Sequence, residues 1–588
     1  MRALTFRKTK VLTDNRNMIL AIALSALVLL GWTLFADRFL PTPPPPAPTI
    51  AAAGSPASPV PVVPGVTPAI PVPGSTTGPL RPAELVVRDT PRLVIDTPRL
   101  AGTINLRGAR IDDLAFKTYR ETIRRDAPAV RLFAPSGAPR AFFAQFGWTG
   151  TGAPAADALW SGSGTLTPRT PVVLTTTGPT GAVFEIKLSV DDQWLFTAQQ
   201  SVRNTGSAPL VVQPFGLVSH LGEGLEPANF QLHNGPIGTY NDRLVDTDVT
   251  YEKIREAGQI AATTTGGWLG IGEKYWLAAL IPDQQRPQAF RFASSPGDRF
   301  QTDFLGGAIA VAPGASATST SRLFAGAKEV EALNMYRDQL GVPLFDRAID
   351  WGWFRVIAQP IYVVLHWLFT LTGNFGVAII GLTLIIRTLM FPLANKQYAS
   401  MAKMRIVAPR LKELQERHKD DKPKLQQEMM ELYKREKVNP VAGCLPILVQ
   451  IPVFYALYKT LLISTEMRHQ PFVLWIRDLS APDPVTPLNL FGLIAWQPPA
   501  MIALGILPIL LGITMWLQQK LSPQMPDPVQ RQVFAIMPWV FMFIMAPFAA
   551  GLQLYWTINN CVSILQQWLM LRRYPMPAEP AAVSLTKT

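Results

Sequence analysis

Long apolar runs, which predict membrane-spanning helices, are separated along this chain by segments in which shorter apolar and polar stretches alternate. The first run covers 18–36 and follows a basic flank at 1–17. This pattern predicts an uncleaved anchor with its N-terminus in the cytoplasm, and a cleaved signal sequence is the alternative. Five further runs in the C-terminal part are long enough to cross ~30 Å of hydrocarbon. They cover 374–391, 443–462, 501–519, 533–551 and 552–571. Lys459 lies near the outer end of 443–462, where we expect it to snorkel to the headgroups.

The pattern between the first anchor and the other spans changes three times. Residues 37–82 are rich in proline, which predicts an extended linker without a core. From 83 to 342, short β-branched and aromatic runs alternate with Gly, Pro and Asp turns, which predicts a β-sandwich domain. Residues 343–373 mix charged side chains with Trp and aliphatic residues. We therefore expect an amphipathic helix at the outer membrane interface.

A charged insert, 396–438, separates the first two of the five later spans. Apolar residues recur at helical spacing in both halves around a KDDKP turn, which predicts a cytoplasmic helical hairpin. Asp421 is the expected cap of the second arm. Flexible, polarisable methionines are suited to contacting many client sequences, and filling gaps within the hairpin is the alternative. These methionines are Met401, Met404, Met429 and Met430.

The formal net charge of +13 is concentrated in the predicted cytoplasmic segments. Residues 1–17 carry five basic and one acidic side chain, and 392–443 carry twelve and seven. In contrast, 37–373 carries 28 of each. This is the positive-inside bias of a membrane protein, so we expect the phospholipid bilayer as a partner and no DNA.

Candidate chemistry outside the spans is sparse. His220 and His233 lie near carboxylates in the β-rich domain, and sandwich domains can bind or act on sugars, but neither histidine has metal-ligand spacing. The two cysteines, Cys444 and Cys561, lie in apolar segments, so disulfides do not hold the β-rich domain together. No Walker motif is present. We therefore expect no metal, no cofactor and no enzymatic activity.

Arg387 lies about two-thirds of the way along the predicted span 374–391. A charge at this depth needs water or polar partners, and the downstream spans contain no Asp or Glu. We therefore expect a hydrated groove, with an arginine that snorkels to the inner headgroups as the alternative. Neutral polar residues on the last span form one helical stripe that either lines this groove or joins helices. They are Gln553, Thr557, Asn560 and Gln567.

Four segments after Trp351 carry a specific pattern. They read LTLIIRTLMFPLANKQYASMAKM, QQEMMELYKREKVNPVAGCLPILVQIPVF, PFVLWIRDLSAPDP and GLQLYWTINN, and the β-rich domain adds GGWLGIGEKYWLAALIP. In these segments the chain resembles the YidC family of membrane protein insertases, in the six-span form of Gram-negative bacteria. The resemblance implies a multi-span α-helical membrane protein. Its parts would be an N-terminal anchor helix, a five-helix insertase core, a large periplasmic β-supersandwich similar to sugar mutarotases, and the cytoplasmic hairpin.

The family also implies a hydrophilic groove that is open to the cytoplasm and to lipid, with Arg387 inside it. The positions matching Thr383, Tyr555 and Trp556 would lie along the substrate path, although many relatives have Tyr where this chain has Trp556. We expect Gln450, which lies inside another span, to line the groove with the polar stripe.

The expected function follows from the same resemblance. The chain would insert and help fold nascent inner-membrane proteins, alone or with the Sec translocon, with both termini in the cytoplasm. A tail-based ribosome contact is doubtful because 572–588 is short and adds only Lys587 beyond Arg573. One alternative is a secondary transporter or channel for an anionic solute, although no internal repeat is visible. Another is a periplasmic sugar-binding or chaperone module that the helices merely anchor.

Overall fold

The computed structural model describes residues 79–223, 232–352, 354–418, 421–436, 445–494, 504–521 and 528–573. The predicted N-terminal anchor, the linker up to residue 78 and the tail from residue 574 lie outside these ranges. The chain forms two compact units. The larger contains 68–523 and 537–588, and the smaller contains 1–67 and 524–536. Of the smaller unit, only 528–536 are described, as the start of a helix.

The predicted β-rich domain contains two sheets. The larger sheet has the order β13-β16-β17-β10-β5-β3-β2-β1-β6, with β18 paired to β10 and β4 paired to β3, and the smaller has the order β12-β11-β14-β15-β19-β9-β8-β7. The strands are β1 (Arg92–Asp96), β2 (Leu100–Asn105), β3 (Arg110–Arg120), β4 (Ala129–Phe133), β5 (Phe142–Gly150), β6 (Thr165–Leu166), β7 (Val172–Thr177), β8 (Val183–Val190), β9 (Leu195–Arg203), β10 (Leu210–Leu221), β11 (Gly235–Tyr240), β12 (Arg243–Val245), β13 (Gln259–Thr265), β14 (Trp268–Gly272), β15 (Trp276–Ile281), β16 (Pro287–Ser295), β17 (Arg299–Gly306), β18 (Ile309–Val311) and β19 (Ser316–Ala327).

The two sheets share one apolar core, which confirms a sandwich-like domain. Strand β8 shows the alternation behind the prediction, since Phe184, Ile186 and Leu188 are buried between more exposed neighbours. Side chains from the two sheets meet in the core, as where the ring centroids of Phe116 and Trp276 lie 4.6 Å apart. Three short helices accompany the sheets. They are α1 (Ala83–Val87), α2 (Tyr251–Ala257) and α3 (Val330–Leu340).

Helix α4 (Arg355–Thr372) has the amphipathic character expected of 343–373. One face, which includes Ile361, Leu365 and Leu368, is buried at helical spacing. The opposite face exposes Val356 and Trp367, both apolar. An exposed apolar face of this kind fits contact with lipid.

The remaining described helices form the helical core and the hairpin. They are α5 (Phe375–Arg417), α6 (Lys422–Arg435), α7 (Leu445–Ile463), α8 (Ile506–Leu521), α9 (Pro528–Met545) and α10 (Ala550–Arg573). Within the described ranges, only Phe375–Asn395 is both long and apolar enough to span a membrane by itself, with a mean hydropathy of 2.1. Shorter apolar stretches are Gln450–Ile463, Ile506–Leu521 and Arg531–Met545. The number of six spans therefore stays a prediction.

Several boundaries and positions differ from the sequence prediction. Helix α4 begins at Arg355 rather than at 343, with a short helical turn at Phe345–Ala348 before it. The span at 374–391 and the first hairpin arm are one continuous helix, because α5 continues through Pro392 and Pro409. Helix α9 is described from Pro528, earlier than the predicted start at 533, and ends at Met545 rather than at 551. Lys459 was expected to snorkel, but it is buried and pairs with Asp350.

Candidate functional site

Arg387 is half-buried on α5 and makes a hydrogen bond to the last helix. Its Nε donates to Oδ1 of Asn559 on α10 over 2.7 Å. On the same helix, Ser563 donates its hydroxyl to the backbone carbonyl of Asn559 over 2.7 Å. The predicted polar surroundings of Arg387 therefore include a neutral amide, which orients the guanidinium without cancelling its charge.

Asn559 was missing from the predicted site. The predicted stripe on the last span followed Gln553, Thr557 and Asn560, whereas Asn559 shares a face with Tyr555 and Ser563, at spacings of four. The signal that could have identified this face is the run of three hydrogen-bonding side chains at i, i+4 and i+8.

Tyr555 links the same face to a third helix. Gln450 on α7 donates its side-chain Nε2 to the Tyr555 hydroxyl over 2.9 Å. Tyr555 is almost fully buried and lies one helical turn from Asn559. The structure therefore connects α5, α7 and α10 through the polar side chains of Arg387, Asn559, Tyr555 and Gln450.

Thr383 and Trp556 lie close to this polar connection. Thr383 is fully buried, one turn before Arg387, and donates its hydroxyl to the carbonyl of Ile379 over 2.7 Å. The Trp556 ring packs between aromatic rings of α7 and α9, with centroid distances of 4.3 Å to Phe454 and 4.6 Å to Phe541. Trp556 therefore fills an aromatic contact between helices.

The predicted polar stripe makes contacts between helices. Gln553 donates its amide to the carbonyls of Met545 (2.9 Å) and Phe548 (2.8 Å), at the end of α9. Asn560 donates to the Thr514 hydroxyl of α8 over 3.2 Å, and Thr557 donates to the Gln553 carbonyl over 2.9 Å. The bonds of Gln553 and Asn560 reach outside α10, as polar side chains in helix bundles often do, whereas the Thr557 bond lies within α10. A groove-lining role for Gln553, Thr557 and Asn560 stays a prediction.

The end of α5 and helix α6 are the two arms of the predicted hairpin. Asp421 accepts a hydrogen bond from the backbone N–H of Lys424 over 3.1 Å and caps α6. Arg410 and Glu436 pair across the two arms at 2.5 Å. The Met430 side chain is 51% exposed, whereas Met429 is half-buried. The side chains of Met401 and Met404 lie outside the described residues.

The histidines of the β-domain are bonded to backbone groups. A ring nitrogen of His220, Nδ1, lies 2.8 Å from the Gly222 carbonyl, and Nε2 of His233 lies 3.0 Å from the Pro236 carbonyl. Burial lowers the pKa of His220 to about 4. No group of His, Cys, Asp and Glu side chains that could hold a metal ion occurs in the part of the chain that the structure describes.

Comparison with known families covers both parts of the chain. The family model described as "YidC periplasmic domain" matches residues 92–364, and the one described as "60Kd inner membrane protein" matches 367–577. The first therefore covers the β-domain and α4 up to residue 364, and the second covers the helical core with Arg387 and Asn559.

Individual relatives agree with these family matches. A membrane protein insertase YidC of Zymomonas mobilis is 45% identical over 572 residues, covering 96% of each chain. One of Bradyrhizobium diazoefficiens is 44% identical over 609 residues, covering 97% of this chain and 98% of the relative. A crystal structure of an active YidC insertase, with its first transmembrane domain resolved, covers 81% of this chain and 91% of its own at 17% identity and a TM-score of 0.35. The two relatives, at 45% and 44% identity over nearly the whole chain, and the two family models show that the chain belongs to the YidC family of membrane protein insertases.

Proposed function

We propose that this chain inserts membrane proteins into the bacterial inner membrane through a hydrophilic groove centred on Arg387. The observation that carries the proposal is the bond between Arg387 and Asn559. It places a guanidinium inside the helical core, where a neutral amide orients it. An arginine in such surroundings is costly and is characteristic of a functional site.

The groove would lower the cost of moving a client's polar tail across the membrane. In hydrocarbon, every peptide group of the tail loses its hydrogen bonds to water. A hydrated groove that reaches Arg387 would shorten this path, and the arginine would attract acidic residues of the tail in surroundings of reduced dielectric constant. Arg387 is half-buried rather than sealed in the core, which supports this role.

Insertion would be driven by burial of the client's apolar segment in lipid. We propose that this segment leaves between α7 and α9, the third and fifth predicted spans. Transfer of apolar surface from water at ~25 cal/mol per Å² supplies the free energy without nucleotide hydrolysis. The aromatic contact of Phe454, Phe541 and Trp556 joins these two helices through α10. It would therefore have to loosen when a client passes.

The hairpin would meet clients before they reach the groove. Met430 presents a flexible apolar side chain to solvent on α6. In the proposed topology the hairpin and both termini lie in the cytoplasm, and the β-domain lies in the periplasm. Cooperation with the Sec translocon belongs to the same proposal, whereas a ribosome contact through the tail is disfavoured because the tail is short.

Reconstitution of the purified chain into liposomes tests the proposal. A client with one apolar segment and a short polar tail should gain protease protection of its tail in these liposomes and not in empty ones. Flux of a small anionic solute should be the same in both preparations, which separates an insertase from the transporter alternative. Tail protection that is equal with and without the protein would overturn the proposal.

A further inference from the structure

The larger sheet of the β-domain carries an unusual set of side chains on its outer face. Phe143, Phe215, Leu217 and Leu305 form a small buried cluster there that is separate from the core between the sheets. Because side chains alternate along a strand, other residues of the same parity share this face. They include Ser219 on β10 and Arg299, Gln301 and Asp303 on β17.

Strand register brings the polar members of this face together. Phe143, Ser219 and Gln301 lie in one row across β5, β10 and β17. Arg299 lies in the adjacent row, opposite Leu221. Neighbouring strands are ~4.8 Å apart, and successive positions on one face are about 7 Å apart along a strand. Arg299, Gln301 and Ser219 are therefore immediate neighbours.

Three polar atoms in this group lack partners, although they are buried. They are the Ser219 hydroxyl, Nη1 of Arg299 and Oε1 of Gln301. Arg299 is only 6% exposed, and its guanidinium forms no hydrogen bond or ion pair with the residues that the structure describes. A buried charge without a partner is one of the costliest arrangements in a folded protein. No residue that the structure describes supplies this partner, which favours a bound group in that role.

The nearby charges favour an anion as that group. The Arg110 guanidinium lies 5.3 Å from the centre of the Phe143 ring, and Phe143 shares a row with Ser219 and Gln301. Arg110 itself belongs to the adjacent row, opposite Gln145, and donates its Nε to Oε1 of Gln145 over 3.1 Å. Burial lowers the pKa of Arg110, opposed by Asp112 and Asp157, and the charge of Arg299 lowers it further. The positive charges of Arg110 and Arg299 thus lie on either side of the row that holds Ser219 and Gln301.

The carboxylates around this face already have partners. Both oxygens of Asp303 accept from Arg291, and one also accepts from Nε2 of Gln301 over 2.7 Å. Asp112 pairs with Arg92. Because Gln301 donates its Nε2 to Asp303, its Oε1 is the atom left over. The site therefore offers donors from Arg299 and Ser219, one acceptor from Gln301, and the positive charge of Arg110 in the neighbouring row.

The geometry points to a binding site on this face for a small phosphate ester that carries hydroxyl groups, of the size of glycerol phosphate. The phosphate oxygens would accept from Arg299 and Ser219, as charge-assisted bonds to phosphate commonly do, and the positive charge of Arg110 would add attraction from the neighbouring row. A hydroxyl of the ligand would donate to Oε1 of Gln301. A free phosphate ester and the glycerol headgroup of an anionic lipid share this chemistry.

Unfolding of the β-domain in the full chain, held in nanodiscs, tests the site. In phosphatidylcholine nanodiscs, sn-glycerol 3-phosphate should raise the unfolding temperature of the wild type. Phosphatidylglycerol in the nanodisc tests the lipid source in the same way. Arg299→Met should abolish either shift, and Ser219→Ala should weaken binding at least about tenfold. Arg203→Met, at an exposed arginine of the other sheet, is the matched control and should respond like the wild type.

Arg299→Met also tests the site without ligand, through the unfolding temperature. Replacing an unpaired buried charge by an apolar side chain of similar length should leave the unfolding temperature unchanged or raise it. A fold disrupted by the substitution would lower it instead and would contradict the absence of a partner for Arg299. If neither phosphate source shifts the wild type, or if Arg299→Met responds equally, only ordered water fills this face and the inference is wrong.

Discussion

Nζ of Lys459 on α7 lies 2.7 Å from Oδ2 of Asp350, with the lysine side chain only 2% exposed. Asp350 also accepts hydrogen bonds from the backbone N–H groups of His233 (3.1 Å) and Gly352 (3.0 Å). Burial alone would raise the pKa of Asp350, but the charge of Lys459 and these hydrogen bonds outweigh it and lower the pKa. One carboxylate therefore fastens the β-domain to the helical core.

We expect either half of this pair to be costly to remove. Asp350→Asn leaves a buried ammonium without its counter-ion, close to Lys328, whose pKa burial lowers to about 8. Each of Asp350→Asn and Lys459→Met should destabilise the protein by on the order of 3 kcal/mol. The measurement is unfolding in detergent. The double variant should cost less than the sum of the single variants, whereas additive costs would show that the two groups do not interact.

An exposed ion pair provides the control for this comparison of single and double variants. Arg124 and Asp126 pair at 2.8 Å on the surface of the same domain, with both side chains at least 70% exposed. Asp126→Asn should leave stability nearly unchanged, because solvent screens such pairs.

Gly376 marks a close contact between α5 and the segment that follows α7. A Cβ added at Gly376 would lie 2.0 Å from Cδ2 of Phe472, whereas one added at Gly381, a little over one turn later, would lie 3.4 Å from its nearest neighbour, Leu368. Gly376→Ala should therefore cost about 1–3 kcal/mol of stability through overpacking. Gly381→Ala should be neutral or slightly stabilising, because Ala favours helix. Equal unfolding temperatures for the two variants would contradict the close contact.

The contact between Arg387 and Asn559 illustrates what sequence alone could predict. The intramembrane arginine and the polar last span were predictable, because hydropathy and helical spacing are local signals. The partner was not, since the two residues are 172 positions apart and two faces of α10 carry polar side chains. The prediction for Lys459 was wrong for the same reason, because its partner Asp350 lies 109 positions earlier, in a segment without a decisive pattern.

The sandwich was predictable for the opposite reason. Strands such as β8 alternate buried and more exposed positions residue by residue, so their pattern is complete within eight residues. Buried polar residues on the outer face of the larger sheet could not be found in this way. Arg299 and Gln301 alternate with Phe300 and Thr302 and therefore resemble the solvent-facing positions of an ordinary strand.

Burial of His220 predicts a pH dependence of β-domain stability. The pKa of His220 is about 4 in the folded protein, against an ordinary value of 6.5. Between these values the unfolded chain binds more protons than the folded one, so stability falls as the pH drops from 6.5 to 4. The contribution, about 3 kcal/mol, is fully present above pH 6.5.

His220→Gln tests this pH dependence. The variant should show a flatter decline of unfolding free energy between pH 6.5 and 4 than the wild type, measured by chemical denaturation. Buried acids such as Asp303, whose pKa burial raises, act in both proteins and cancel in the comparison. The same slope in both proteins would contradict the burial of a neutral His220.

The hairpin should contact clients during their synthesis. A photocrosslinker at Met430, which is exposed on α6, should capture nascent chains of membrane proteins, and so should one at Met404. The same probe at Leu411, which is buried in the first arm, is the control and should crosslink within the hairpin. If the probes at Met430 and Met404 also crosslink only within the hairpin, these methionines fill gaps in its packing.

The central claim is that Arg387 acts through its positive charge, and substitution by lysine and by alanine tests it most directly. Lysine keeps the charge but loses the planar fork that bonds Asn559. The measurement is insertion efficiency in liposomes for two clients that differ only in the charge of the translocated tail, at equal protein levels. We predict that Arg387→Lys retains much of the activity, and that Arg387→Ala loses it, most severely for the acidic tail. Failure of lysine as complete as that of alanine would show that Arg387 braces the helices instead, and normal insertion of both clients by Arg387→Ala would contradict any role for this arginine in insertion.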